Sequence, residues 1–158
     1  MTNALGELFE ERLSALEPDG LQLLSCAALL GYRFEARLVA ACAGFGDVRV
    51  RAALERSRAL DLIVREARAP ASFRFRHALI QFAVRERLCA EERCAWHTRI
   101  ATVLESLPDA RRRIEQLAHH WSAAGNSAKA ALYCERAAQL ALRLGAAGDA
   151  AAWRARAW

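Results

Sequence analysis

The sequence predicts a mostly helical protein with one β-hairpin. Ala is its commonest residue and proline occurs only three times. That composition favours helices, because Ala loses no side-chain entropy in a helix and Pro breaks one. Apolar residues recur at i, i+3, i+4 spacing along most of the chain, whereas only LDLIV and SFRFR alternate as strands do. The 158 residues, 54% of them hydrophobic, suffice for one or two units with cores of their own.

Asn3 stands where it would cap a first helix, whose stripe is Leu5, Leu8, Phe9, Leu13 and Leu16. EPDG breaks it, and Asp19 is positioned to cap a second helix running through LQLLSCAALL to Gly31. EARLVAACAG makes a third. Asp47 is positioned to cap a fourth, VRVRAALERSRAL, with Val50, Leu54 and Ser57 facing inward. Leu60, Leu62 and Val64 then alternate, and the seven-residue connection REARAPA leads to a strand with Phe73 and Phe75 on one face. Helices followed by a hairpin is the order of a winged-helix domain, expected over residues 1–90.

Residues 91–158 read as helix after helix. Trp96, Ile100, Val103, Leu104 and Leu107 form a stripe that Pro108 ends. Ile114, Leu117, Ala118 and Trp121 form the next, closed by Gly125. NSAKAALYCERAAQLALRLG follows, capped by Asn126 or Ser127 and stopped by Gly145, and GDAAAWRARAW begins another helix. Such pairs suggest antiparallel, TPR-like helical hairpins, although no Trp-x2-Leu-Gly signature stands out. An array of this kind needs a terminal cap. None is evident, so the arm is expected to be incomplete at its C-terminus, with Trp153 and Trp158 on an apolar ridge suited to self-association.

The net charge is +5, and Lys129 is the sole lysine. The arginines are interspersed with 18 acids, which suits a solvated helix surface. DNA is the alternative partner: VRVRAALERSRAL would enter the major groove with Arg49, Arg51, Arg56 and Arg58, while Arg65, Arg68 and Arg74 would line the wing. Glu55 and Glu66 interrupt that basic surface. Five cysteines without framework spacing suit reduced thiols in a cytoplasmic protein. No apolar run is long enough to span a membrane, and the N-terminus lacks the apolar core of a signal peptide.

Catalytic signatures are missing: no Gly-x4-Gly-Lys-Ser/Thr loop, no Gly-x-Ser-x-Gly elbow, no His-Glu-x-x-His. No catalytic residue is assigned, no cofactor is expected in this chain, and the chain is not expected to be an enzyme. Cys94 and His97 lie at i, i+3 and could share a helix face with a metal. Their only partners would be His119 and His120, which as neighbours on a helix point in different directions, so at most one would join. No metal site is assigned. His97 reads as a structural or surface residue, and the His119–His120 pair as lining a groove between helices.

The stretch SFRFRHALIQ changes period in the middle: Phe73 and Phe75 alternate with Arg74 and Arg76, and beyond His77 the spacing becomes helical. On the residues alone, an imidazole at that junction reads as a polar residue that ends the strand and bonds the backbone. Together with WHTRIATVLE and EQLAHHWSAAGNSAKAALYCERAA, this stretch resembles the region that follows the ATPase core in bacterial STAND-type regulatory ATPases. Those are large signalling proteins, many fused to LuxR-type DNA-binding domains or nucleotide cyclases. The resemblance implies a winged-helix domain that packs on a nucleotide-binding core, in cis or in trans, followed by a helical arm that takes an effector or protein. It implies that His77, with Arg76 beside it, approaches the phosphates of a nucleotide held by that core. ATP or ADP with Mg would belong to the longer protein. His77 corresponds to the histidine of the Met-His-Asp motif in related ATPases, with Ala78 in place of the Asp. Phe82 stands where an acid is common, and Arg85 where an aromatic is common.

Overall fold

The computed structural model describes residues 4–157, with side chains from Gly6 onward. Asn3, the side chain of Leu5 and Trp158 therefore lie outside the described residues. The chain divides into two compact units, Met1–Cys89 and Ala90–Trp158.

The first unit runs α1 (Ala4–Ser14), α2 (Pro18–Leu30), β1 (Arg33–Glu35), α3 (Ala36–Ala43), α4 (Asp47–Ala59), β2 (Ile63–Glu66), β3 (Ala69–Phe75) and α5 (Ala78–Glu86). Phe9, Leu13 and Leu16 are buried as the helical period requires, while Leu8 is exposed. Helix α2 starts with Pro18 at its first position, where the missing N–H costs nothing. Asp19 thus sits inside the first turn and does not cap it. Asp47 likewise opens α4 from within, behind Gly46. Val50, Leu54 and Ser57 do face inward, joined by Ala53. The Ser57 hydroxyl satisfies itself by donating to the Ala53 carbonyl at 2.7 Å.

The sheet has three antiparallel strands in the order β1-β3-β2, one more than the single hairpin expected. β1 is only Arg-Phe-Glu, too short to show a period, and Phe34 lies opposite Phe73. The hairpin is also tighter than the sequence suggests. Ala67 and Arg68 alone form its turn, and Pro70 lies at the exposed start of β3. A register shift between Arg65 and Glu66 absorbs the difference.

The inward residues at the start of β2 are Leu62 and Ile63, in place of an alternating Leu60, Leu62 and Val64. The cause is Asp61, which has φ 59° and turns the chain out of α4. Asp61 donates its N–H to the Arg58 carbonyl, and Leu62 donates to that of Ser57. This is the pair of hydrogen bonds of a left-handed helix stop, a position usually given to glycine. Asp tolerates that conformation better than most side chains.

The second unit runs α6 (Ala90–Ser106), a 3-10 turn (Ala110–Arg112), α7 (Ile114–Ala123), α8 (Ser127–Arg143) and α9 (Ala147–Arg156). Each α-helix packs on the next in sequence. Asn126 caps α8, its side-chain oxygen accepting from the Lys129 N–H at 3.1 Å. Gly125 and Gly145 take φ 71° and 77°, and each ends its helix with the same pair of backbone bonds described for Asp61. Their lack of a Cβ lets the chain reverse within about three residues. Trp153 is half-buried against Ala138, Ala141 and Ala150, so it is less exposed than the unfinished pattern suggests.

Candidate functional site

His77 occupies the junction between β3 and α5. The central strand is pinned on both sides just before it: Phe75 N–H donates to the Tyr32 carbonyl at 3.0 Å, and Arg76 N–H to that of Leu62 at 2.9 Å. His77 then keeps extended backbone, φ −138° and ψ 146°, as the residue capping α5. Its carbonyl accepts from Ile80, but its side chain makes no cap hydrogen bond. The imidazole is exposed, with its ring 6.0 Å from that of Phe9. Helix α5 is held from its other face, where Ile80 and Val84 are buried and Gln81 donates to the Ala28 carbonyl at 2.8 Å.

Arg76 is exposed and lies 3.5 Å from Asp61, which also meets Arg12 at 3.5 Å. It lines a cleft of about 430 Å³ together with Glu55, Arg58, Asp61, Ile63 and Arg65. Both signs of charge are present there. On the outer side of α5, Leu79 and Phe82 are 51% and 61% exposed, large fractions for apolar side chains. They border an apolar groove of about 470 Å³ against Phe9 and Glu10 of α1.

Most of the arginines proposed for DNA contact are already engaged. Arg49 makes a two-pronged bond to Asp19 at 2.8 and 2.7 Å, and that bond holds the Asp19 carboxyl below its usual range. Arg58 does the same to Glu55 at 3.0 and 2.8 Å. Arg65 lies 3.5 Å from Glu55 and Arg74 3.4 Å from Glu66, while Arg56 reaches the Ala15 carbonyl at 3.5 Å. Arg51 is exposed and pairs with no carboxylate among the described residues. Binding DNA through this surface would require several of these pairs to exchange carboxylate for phosphate.

The second unit brings together three of the residues weighed above as metal ligands, in a different combination. His97 on α6 and His120 on α7 are both buried, and their Nδ1 atoms approach to 2.8 Å. His119, exposed, brings its ring within 5.0 Å of that of His120 and 5.7 Å of that of His97. A nitrogen from each of the three lies within 4.8 Å of the others. The expectation that at most one of the adjacent histidines could join His97 is therefore corrected. Neighbours on a helix diverge by about 100°, and one residue on the facing helix can sit between them. Cys94 takes no part, since its thiol donates to the Ala124 carbonyl at 3.1 Å. Burial, then the neighbouring imidazoles of His97 and His119, push the His120 pKa down to about 3. The buried spacing of His120 with Leu117 and Trp121, i+3 and i+4 from Leu117, was the available sequence signal.

A second polar knot braces the same unit. Glu105 on α6 accepts from Lys129 Nζ at 2.6 Å and from the Tyr133 hydroxyl at 2.8 Å, both on α8. Burial raises the Glu105 carboxyl, but these hydrogen bonds outweigh it and leave it below its usual range. The lysine also lies 4.2 Å over the Trp121 ring. Because the pair is partly solvated, we expect Glu105→Ala to cost about 1 kcal/mol in urea melts followed by tryptophan fluorescence. A neutral result would show that the knot adds no stability.

Compared with family models, with curated proteins and with solved structures, the chain matches none.

Proposed function

We propose that this chain is a non-catalytic regulatory and interaction module of a STAND-type signalling ATPase, serving signal transduction or transcription regulation. In this reading the first unit is a winged-helix domain that packs on a nucleotide-binding core. The second is a TPR-like sensor arm. The order helix, short strand, two helices, then a hairpin whose central strand also pairs with the short strand supports the first assignment. Stacked helix pairs closed by left-handed glycines support the second.

The observation that carries the reading is the placement of His77. Its backbone is fixed by a strand bonded on both sides, and its imidazole is left exposed at a helix N-terminus. The exposed Leu79 and Phe82 beside it offer an apolar face for the core. His77, with Arg76, would contact the diphosphate in the closed state, and an effector on the arm would favour the open one. Such a module acts by contacting the two states differently.

His77→Ala tests this. In the 158-residue chain the change should alter stability by less than about 0.5 kcal/mol, since no buried partner is lost. In a longer protein with the core attached, it removes a charge-assisted bond worth roughly 1.5–3 kcal/mol. Basal activity and diphosphate release should then rise about tenfold or more. A marked fall in melting temperature of the chain, with basal activity of the longer protein unchanged, would assign His77 a structural role instead.

A further inference from the structure

Independently of the nucleotide-switch reading, the geometry of the second unit points to a metal site: we infer that His97, His119 and His120 bind a zinc ion, with a fourth position open to solvent. Three neutral imidazoles form a donor set suited to zinc, nickel and copper, and no carboxylate belongs to the cluster that would suit calcium or magnesium. Three histidines with one exchangeable position is also a coordination that zinc adopts.

The distances fit with little movement. Zinc–imidazole bonds of 2.0–2.1 Å in a tetrahedron place the nitrogens about 3.3 Å apart. The His97 and His120 Nδ1 atoms, at 2.8 Å, must open by about 0.5 Å from that starting distance. Across the whole set, with one nitrogen from each ring within 4.8 Å of the others, the widest separation must close by about 1.5 Å at most. Without metal, the short Nδ1···Nδ1 approach is an N–H···N hydrogen bond in which one ring holds the proton on Nδ1. Metal entry moves that ring to its Nε2–H tautomer, so both rings stay neutral, and both rings must turn for their Nδ1 lone pairs to converge on the ion. Burial of His97 and His120 keeps two ligands preorganised, and exposure of His119 leaves a path for the ion.

The test uses the 158-residue chain without a histidine tag, stripped with chelator. Zinc chloride is titrated in by calorimetry, and cobalt chloride by visible absorption. One ion per chain, an intense tetrahedral cobalt spectrum and a higher melting temperature with zinc are expected. His119→Ala changes an exposed residue, so the chain should stay folded while zinc affinity falls by more than the roughly 10–100-fold that an outer-sphere change costs. His97→Gln should abolish the cobalt spectrum. Absence of binding, or binding that survives His119→Ala but is lost on replacing exposed Cys89 by Ser, would overturn the site and leave a hydrogen-bonded histidine pair.

Discussion

Replacing Phe75 by Ala should destabilise the first unit by about 3–5 kcal/mol, the usual cost of deleting a buried aromatic side chain. Phe75 is fully buried on the central strand, where its ring meets that of Phe34 at 5.7 Å and 54°. The strand is bonded to both neighbours, so the backbone cannot collapse into the void. A domain stable by about 5–15 kcal/mol would lose a large share of its margin. All four tryptophans lie in the second unit, so the loss should appear in far-ultraviolet circular dichroism and not in tryptophan fluorescence. Phe82→Ala, on the exposed face of α5, should stay within about 0.5 kcal/mol of the parent chain. Equal effects of the two changes would mean that the core is not organised around Phe75.

Acidification should selectively weaken the second unit. The His120 pKa is about 3 in the folded chain against an ordinary 6.5, because burial and two neighbouring imidazoles disfavour the cation. Between those values the unfolded chain binds one more proton than the folded one, so stability rises with pH. The contribution is fully present above about 6.5 and is lost progressively as pH falls toward 3. At about 1.4 kcal/mol per pH unit, metal-free protein at pH 5 should be less stable by about 2 kcal/mol than at neutral pH. Urea midpoints read from tryptophan fluorescence, with chelator present, measure this. His120→Gln should flatten the slope between pH 7 and 5 whatever its effect on the baseline. An unchanged slope in that variant would show that His120 ionises freely in the folded state.

Helical faces were legible in the sequence because their period is a local property. Val50, Leu54 and Ser57, or Ile100 and Leu104, are buried where a 3.6-residue repeat places them. Cap positions were less legible. Asp19 and Asp47 favour a helix start from inside the first turn as well as from the cap, through the dipole, so residue type alone does not decide between neighbouring positions. Strand β1 was not legible at all. Three residues carry no alternation, and their strand character comes from pairing with β3, about forty residues later.

The candidate site divides in the same way. The junction at His77 could be read because the change of period from two to 3.6 lies within ten residues. Its exposure depended on tertiary packing, in which the Phe9 ring lies beside it and Ile80 turns the other face of α5 inward. The histidine cluster lay beyond local reasoning, since the relation that makes it is the approach of α6 to α7. The sequence alone determined the run of helices, the strand ending at His77 and the glycines that reverse the chain, because each follows from backbone preference and nearby apolar spacing. Only the tertiary structure decided that β3 is the central strand, that Asp61 takes a left-handed turn and that three imidazoles meet, because each depends on partners distant in sequence.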